Sequence, residues 1–163
     1  MMTIAELKKT MPQIGRIEAI TRRPKRKADI ELIESVEVDV NHGLEGDYYS
    51  KKGGNRMITL IQAEHLPVIS AIVGSEVTHD LVRRNILISG INLKALQDAS
   101  FRLGDNVILQ GTGNCVPCSQ MESALGPGGY NAMRGHGGIT AKVIQGGLIK
   151  KGDEVSLYLN NTT

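Results

Sequence analysis

Two cysteines stand three positions apart in Gly111-Thr-Gly-Asn-Cys-Val-Pro-Cys-Ser-Gln120, and the chain has no others. A thiol displayed on a loop can be a nucleophile, a sulfur carrier or a soft metal ligand, and each role is performed by the thiolate. Pro117 locks its own φ near about −65° and stiffens the approach to Cys118. The surrounding glycines let a ligand come close to the backbone. A second glycine-rich segment, Gly126 to Gly138, follows and carries Arg134 and His136. If it folds over Cys118, its positive charge would favour the thiolate. The competing reading is a small buried apolar residue, a common fate of free cysteine.

The Cys115-x-x-Cys118 spacing opens two other readings. A structural zinc needs four ligands. Only His42, His65, His79 and His136 remain to complete a set, and none has finger spacing. A thioredoxin-like redox pair belongs at a helix N-terminus in an α/β unit, whereas this pair is expected to end a strand. A structural disulfide is disfavoured because so short a loop removes little chain entropy. A reversible Cys115–Cys118 bond under oxidation stays open.

Other polar groups offer binding chemistry. The glycine segments lack the phosphate-loop and dinucleotide patterns, yet consecutive backbone N–H groups in such turns can hold an anion. Arg134 between them favours anion contact over empty tight turns. Arg83-Arg84-Asn85 offers two cations and an amide suited to a phosphate or a pterin edge, against a salt bridge and a solvated arginine. Glu45-Gly-Asp47 with Asn55-Arg56 reads first as a structural Asp–Arg pair, and second as a polar rim. The run Arg22-Arg-Pro-Lys-Arg-Lys27 reads as a solvated loop rather than a polyanion patch.

These groups need a scaffold. Glu34 to Val40 alternates, with Val36, Val38 and Val40 on one face, and predicts a strand. Ile14 to Thr21 alternates loosely and also reads as a strand. Further strands are expected at 57–62, 85–89, 100–103, 106–111, 139–145 and 154–159. Short helices are expected at 3–11, 63–73 (with Pro67 in the first turn), 78–84 and 120–125. Residues 47–55 read as a polar loop and 160–163 as a frayed end. Many short strands with glycine turns predict a mainly β architecture, a closed barrel with a few short helices.

Composition narrows the classes. The chain has 163 residues, 40% apolar and 22% charged, with net charge +2. That suits one soluble domain with a proper core, spanning 1–163 with its core at about 14–157. With four Tyr, one Phe and no Trp, it lacks the stacking platforms of single-strand nucleic-acid binders. No nucleic-acid or membrane partner is expected. The N-terminal residues are too polar for a secretory signal, so the expected location is the cytoplasm, where thiols stay reduced.

Taken in order, several segments resemble the MOSC family, named from the C-terminal domain of molybdenum-cofactor sulfurase. They are Gly43-Leu-Glu-Gly-Asp47, Asn55-Arg56, Gln62-Ala-Glu-His65, Arg83-Arg84-Asn85-Ile86 with Gly90-Ile-Asn-Leu93, Phe101-Arg-Leu-Gly-Asp105, Pro117-Cys118, Gly126 to Gly138, and Lys151-Gly-Asp153. The resemblance implies a stand-alone MOSC protein with a barrel like that of pyruvate kinase. It implies molybdenum-cofactor (molybdopterin) handling, with Cys118 as persulfide carrier or molybdenum ligand and Cys115 as an auxiliary thiol. Arg56, Arg84, Asn85, Arg134 and His136 would then grip the pterin and its phosphate. The implied partners are a pyridoxal-phosphate desulfurase as sulfur donor, the only route by which pyridoxal phosphate enters, and a separate electron donor. An N-hydroxylated compound would be a family-like substrate. The activity would be sulfur transfer or molybdenum-dependent reduction. The rival class is a non-catalytic barrel that holds a small anion or a protein partner. Family members often have histidine where this chain has Tyr49.

Overall fold

The computed structural model describes residues 1–48 and 54–160. Tyr49, most of the expected 47–55 loop and residues 161–163 lie outside the described residues. Seven strands close into a barrel: β1 (Gly15–Arg22), β5 (Ile58–Gln62), β6 (Ile86–Ser89), β7 (Ser100–Leu103), β8 (Val107–Asn114), β9 (Ile139–Gln145) and β11 (Glu154–Leu157). Their order is β11-β7-β8-β9-β5-β6-β1, and β1 pairs back to β11. Closure leaves these strands no free edge. β2 (Glu31–Ile33) extends the sheet from β1. A separate three-stranded sheet runs β10 (Gly147–Lys150), β3 (Ser35–Asp39), β4 (Gly43–Leu44). β4 and β10 each begin at a glycine, Gly43 and Gly147, and neither is among the strands expected from the sequence.

The local departures have physical causes. β1 alternates loosely because its register against β6 shifts between Ile17 and Ala19, and such a bulge puts an extra residue out of phase. β3 stops at Asp39, whose carboxylate accepts the N–H groups of Asn41 and His42 at 2.8 and 3.0 Å. Val40 therefore leaves the Val36–Val38 face and is exposed. β5 and β6 run parallel, which demands a crossover. A short helix, α1 (Ile4–Lys8), precedes the barrel, and the crossover is α2 (His65–Val73) and α3 (His79–Val82). Pro67 sits in the first turn of α2, and Gly74 ends it in the left-handed region at φ 86°.

Ile, Val and Leu side chains with Phe101 fill the barrel. A second apolar cluster lies outside it, where Ile61, Ile69, Val82, Met121, Leu125 and Met133 pack together. It buries one face of α2, α3, α4 (Ser119–Leu125) and α5 (Gly129–Met133). The helix α5 lies inside the segment expected to be only a glycine loop. No described helix is long and apolar enough to cross a membrane.

Candidate functional site

The cysteine loop hangs between the barrel and the outer helical layer. β8 runs beside β9 to its last pair, Asn114 with Ile139. Gly111 is required on the way, because a Cβ there would strike the Leu96 carbonyl. Past the strand, Cys115 N donates to Gly138 O at 2.9 Å. Gly138 has φ 86°, and a Cβ on it would collide with the Leu60 carbonyl. The loop is thus stitched to a glycine turn that tolerates no side chain.

Pro117 fixes its own φ and disfavours helical backbone at Val116 before it. Val116 is exposed and Pro117 buried. Cys118 (φ −118°, ψ 178°) is the N-cap residue of α4. The cysteine pair therefore ends a strand and also begins a helix. The expectation of a strand end alone is therefore wrong for Cys118, which also opens a helix.

The two thiols have different surroundings. Both are free, Cys115 buried and Cys118 exposed. Arg56 Nη2 lies 3.6 Å from Cys115 Sγ. Cys118 lines a narrow cleft that is open to solvent. Arg22, Arg23, Arg56, Arg83 and Arg84 all line that cleft, with Asp47 and Asn85. Arg22 and Arg23 come from the run read as solvated loop. Only folding shows that these two arginines border the cleft.

Much of the wall is held by internal bonds. Arg84 is 4% exposed. Its Nε donates to Gly137 O at 2.8 Å, its Nη1 to Val82 O at 3.1 Å and its Nη2 to Cys115 O at 3.5 Å. Burial lowers its pKa, and Arg56 pushes the same way, while Cys115 and Cys118 oppose them. Asn85 Oδ1 accepts from Thr59 N and Oγ1, and Nδ2 donates to Thr21 O at 3.2 Å. Arg84 and Asn85 thus frame the cleft. Arg83 adopts φ 57°, which is rare for a residue with a Cβ and costs of order 1 kcal/mol. It lines the cleft, and such strain gathers at functional sites. That angle has no sequence signal.

Asp47 accepts the Arg23 backbone N–H at 2.9 Å. Among the described residues no ion pair joins Asp47 to Arg56, so the expected Asp–Arg pair gives way to the Arg56–Cys115 contact. The first glycine turn already has its anion. Glu122 accepts from Gly128 N at 2.7 Å and Tyr130 N at 2.8 Å. The Tyr130 and Gly128 backbone bonds hold its carboxyl below the usual range.

Arg134 and His136 do not line the Cys118 cleft. Arg134 borders a second cleft, which shares no lining residue with the first. His136 Nδ1 lies 3.0 Å from Ala132 O, and its ring meets His65 edge-on. No group of three or more metal-ligating side chains occurs among the described residues.

A model of the MOSC domain matches residues 43–156. The YUAD protein from Bacillus subtilis superposes with a TM-score of 0.78 at 19% identity, over 90% of this chain and 97% of that one. YiiM from Geobacillus stearothermophilus gives 0.71 at 18%, over 91% and 77%. YiiM from Escherichia coli gives 0.68 at 17%, over 91% and 72%. At such identities these likenesses concern the fold. No curated protein matches the chain.

Proposed function

The chain belongs to the MOSC-domain family, and from that premise we propose that it handles a molybdenum–pterin cofactor, or that cofactor's sulfur, at Cys118. The observation that carries the reading is an exposed thiol on the rim of an arginine-lined cleft. The donor set suits such a group. One thiolate is a soft ligand for a heavy metal, and arginine forks match phosphate oxygens. With no cluster of three or more metal-ligating side chains among the described residues, the protein would take a metal that arrives already chelated by an anionic organic ligand.

In this reading Cys118 is the soft ligand. Arg23, Arg56 and Arg83 face the anionic part, and Arg84 and Asn85 keep the wall in place. Arg84 fixes Cys115 O and Gly137 O, so the loop holds Cys118 without depending on the ligand. The cofactor, when bound, supplies two-electron chemistry, with electrons from a separate donor. An N-hydroxylated compound is the substrate class we assign to that version.

A second version rests on the exposure of Cys118 at the helix cap, within reach of a macromolecular donor. The Cys118 thiolate attacks the terminal sulfur of a donor persulfide, such as that of a pyridoxal-phosphate desulfurase. One S–S bond forms on Cys118 as the donor's S–S bond breaks. The electron pair leaves with the donor thiolate, so no external oxidant is needed.

Expression in cells that make molybdenum cofactor, followed by metal and pterin analysis, tests the first version. Both should co-purify, be lost in Cys118→Ala and persist in Cys115→Ala. Absence of both, with no uptake on reconstitution, overturns it. For the second version, incubation with a desulfurase should add the mass of one sulfur atom, in Cys115→Ala but not in Cys118→Ala. If neither loading occurs and Cys118→Ser binds small anions unchanged, the protein is a non-catalytic binding module.

A further inference from the structure

The second cleft is the roomier of the two. The cysteine loop separates them: Cys115, Val116 and Pro117 line one, Cys118 the other. Lys94, Arg134 and His65 border the second cleft, and its lining includes no acidic side chain. Among the described residues neither Lys94 nor Arg134 makes an ion pair. Arg134 has one long contact, Nη1 to Asn131 Oδ1 at 3.4 Å. The His65 and His136 rings stand 5.5 Å apart. Burial first, then His136 and Lys94, hold the His65 pKa low, against Glu64. The Glu64 carboxylate is engaged by Gly90 N at 2.8 Å. Lys94 and Arg134 thus share one hollow with no carboxylate paired to either, and His65 adds a ring to its wall.

Leu93, Val116 and Pro117 give the same hollow an apolar side. Val116 is 60% exposed, an apolar surface left open beside the cations. A bare phosphate would satisfy the charge and leave this side wet. A ring would cover it, packing on proline and on the His65 imidazole. We propose that the second cleft binds a small aromatic anion, its charged end between Lys94 and Arg134 and its ring against Leu93, Val116 and Pro117. Gln62 Oε1 is taken by Leu93 N at 3.0 Å, so its amide NH₂ is the end available to an anionic oxygen. The proposal does not depend on what Cys118 does.

The test is an NMR titration of the full chain, ¹⁵N-labelled, with three probes: phenyl phosphate, inorganic phosphate and phenol. Phenyl phosphate should shift the amides of Asn114, Val116, Gly135 and Gly137, and bind about tenfold or more tighter than either fragment. Lys94→Ala and Arg134→Ala should each weaken it about tenfold, the range of a charge-assisted contact. Both side chains are exposed, so the remaining spectrum should be unchanged. Cys118→Ala should bind as tightly as the parent. Shifts centred on Thr21, Arg56 and Arg83, equal affinity for phosphate and phenyl phosphate, or full affinity in the Lys94/Arg134 double variant would each overturn the proposal.

Discussion

On one side of the cysteine loop most of the cations are held by strong internal bonds, and on the other they have no carboxylate and at most one long contact. In the Cys118 cleft, Arg84 is bonded to three carbonyls, Arg22 to Glu31 and the Glu45 carbonyl, and Arg56 lies against Cys115. Across the loop, Lys94 and Arg134 have no carboxylate. The contrast teaches that positive charge alone does not mark a ligand contact. Arg84 is central to the site, but its guanidinium is occupied with holding the loop. The same division separates the thiols. Cys115 lies inside with an arginine on its sulfur, and Cys118 faces outward at a helix cap.

The largest effect should come from breaking that division chemically. Iodoacetamide should label native Cys118 on the order of a hundredfold faster than Cys115, because a buried thiol must wait for local opening. Peptide mapping of a time course reads the ratio. Comparable labelling of both would erase the distinction between them.

Next comes Arg84→Met. It leaves the carbonyls of Gly137, Val82 and Cys115 without their donor. Loss of buried partners of this kind costs roughly 2–4 kcal/mol. Urea unfolding should show that loss, and Cys115 should gain reactivity while Cys118 changes little. A neutral result would mean that Arg84 does not hold the loop.

The smallest effect concerns His79, 8% exposed on α3. Burial holds its pKa below the ordinary value, outweighing the Arg84 backbone and Asp80. The unfolded chain therefore takes up the proton first as pH falls. Stability should be intact above about pH 6.5 and decline below it, at no more than about 1.4 kcal/mol per pH unit for one proton. His79→Leu should flatten that acid limb. An unchanged slope would show that other groups set it.

Much of the barrel was legible in the chain. β5, β6 and β9 are apolar runs bounded by turn residues, and burial alone places them. The short strands β2, β4 and β10 were not legible, since two of them include glycine and each is defined by its pairing partner. The helix α5 was hidden for the same reason: its Gly129 reads as loop, and packing against Met121 and Leu125 makes it helical. At the site, Pro117-Cys118 stood out by spacing. Arg22 and Arg23 did not, because a basic run looks alike whether it borders a cleft or faces solvent.

The sequence by itself determined the covalent facts: two thiols three apart, a proline that forces an extended approach, and glycines where no Cβ can fit. It determined the family through the order of short motifs along the chain. Tertiary structure decided which thiol is reachable, which arginines are tied to carbonyls, and that Arg134 and His136 lie across the loop from Cys118. Those outcomes depend on contacts between residues far apart in the chain. Local pattern does not encode such contacts, because burial and charge pairing arise only once the barrel has closed.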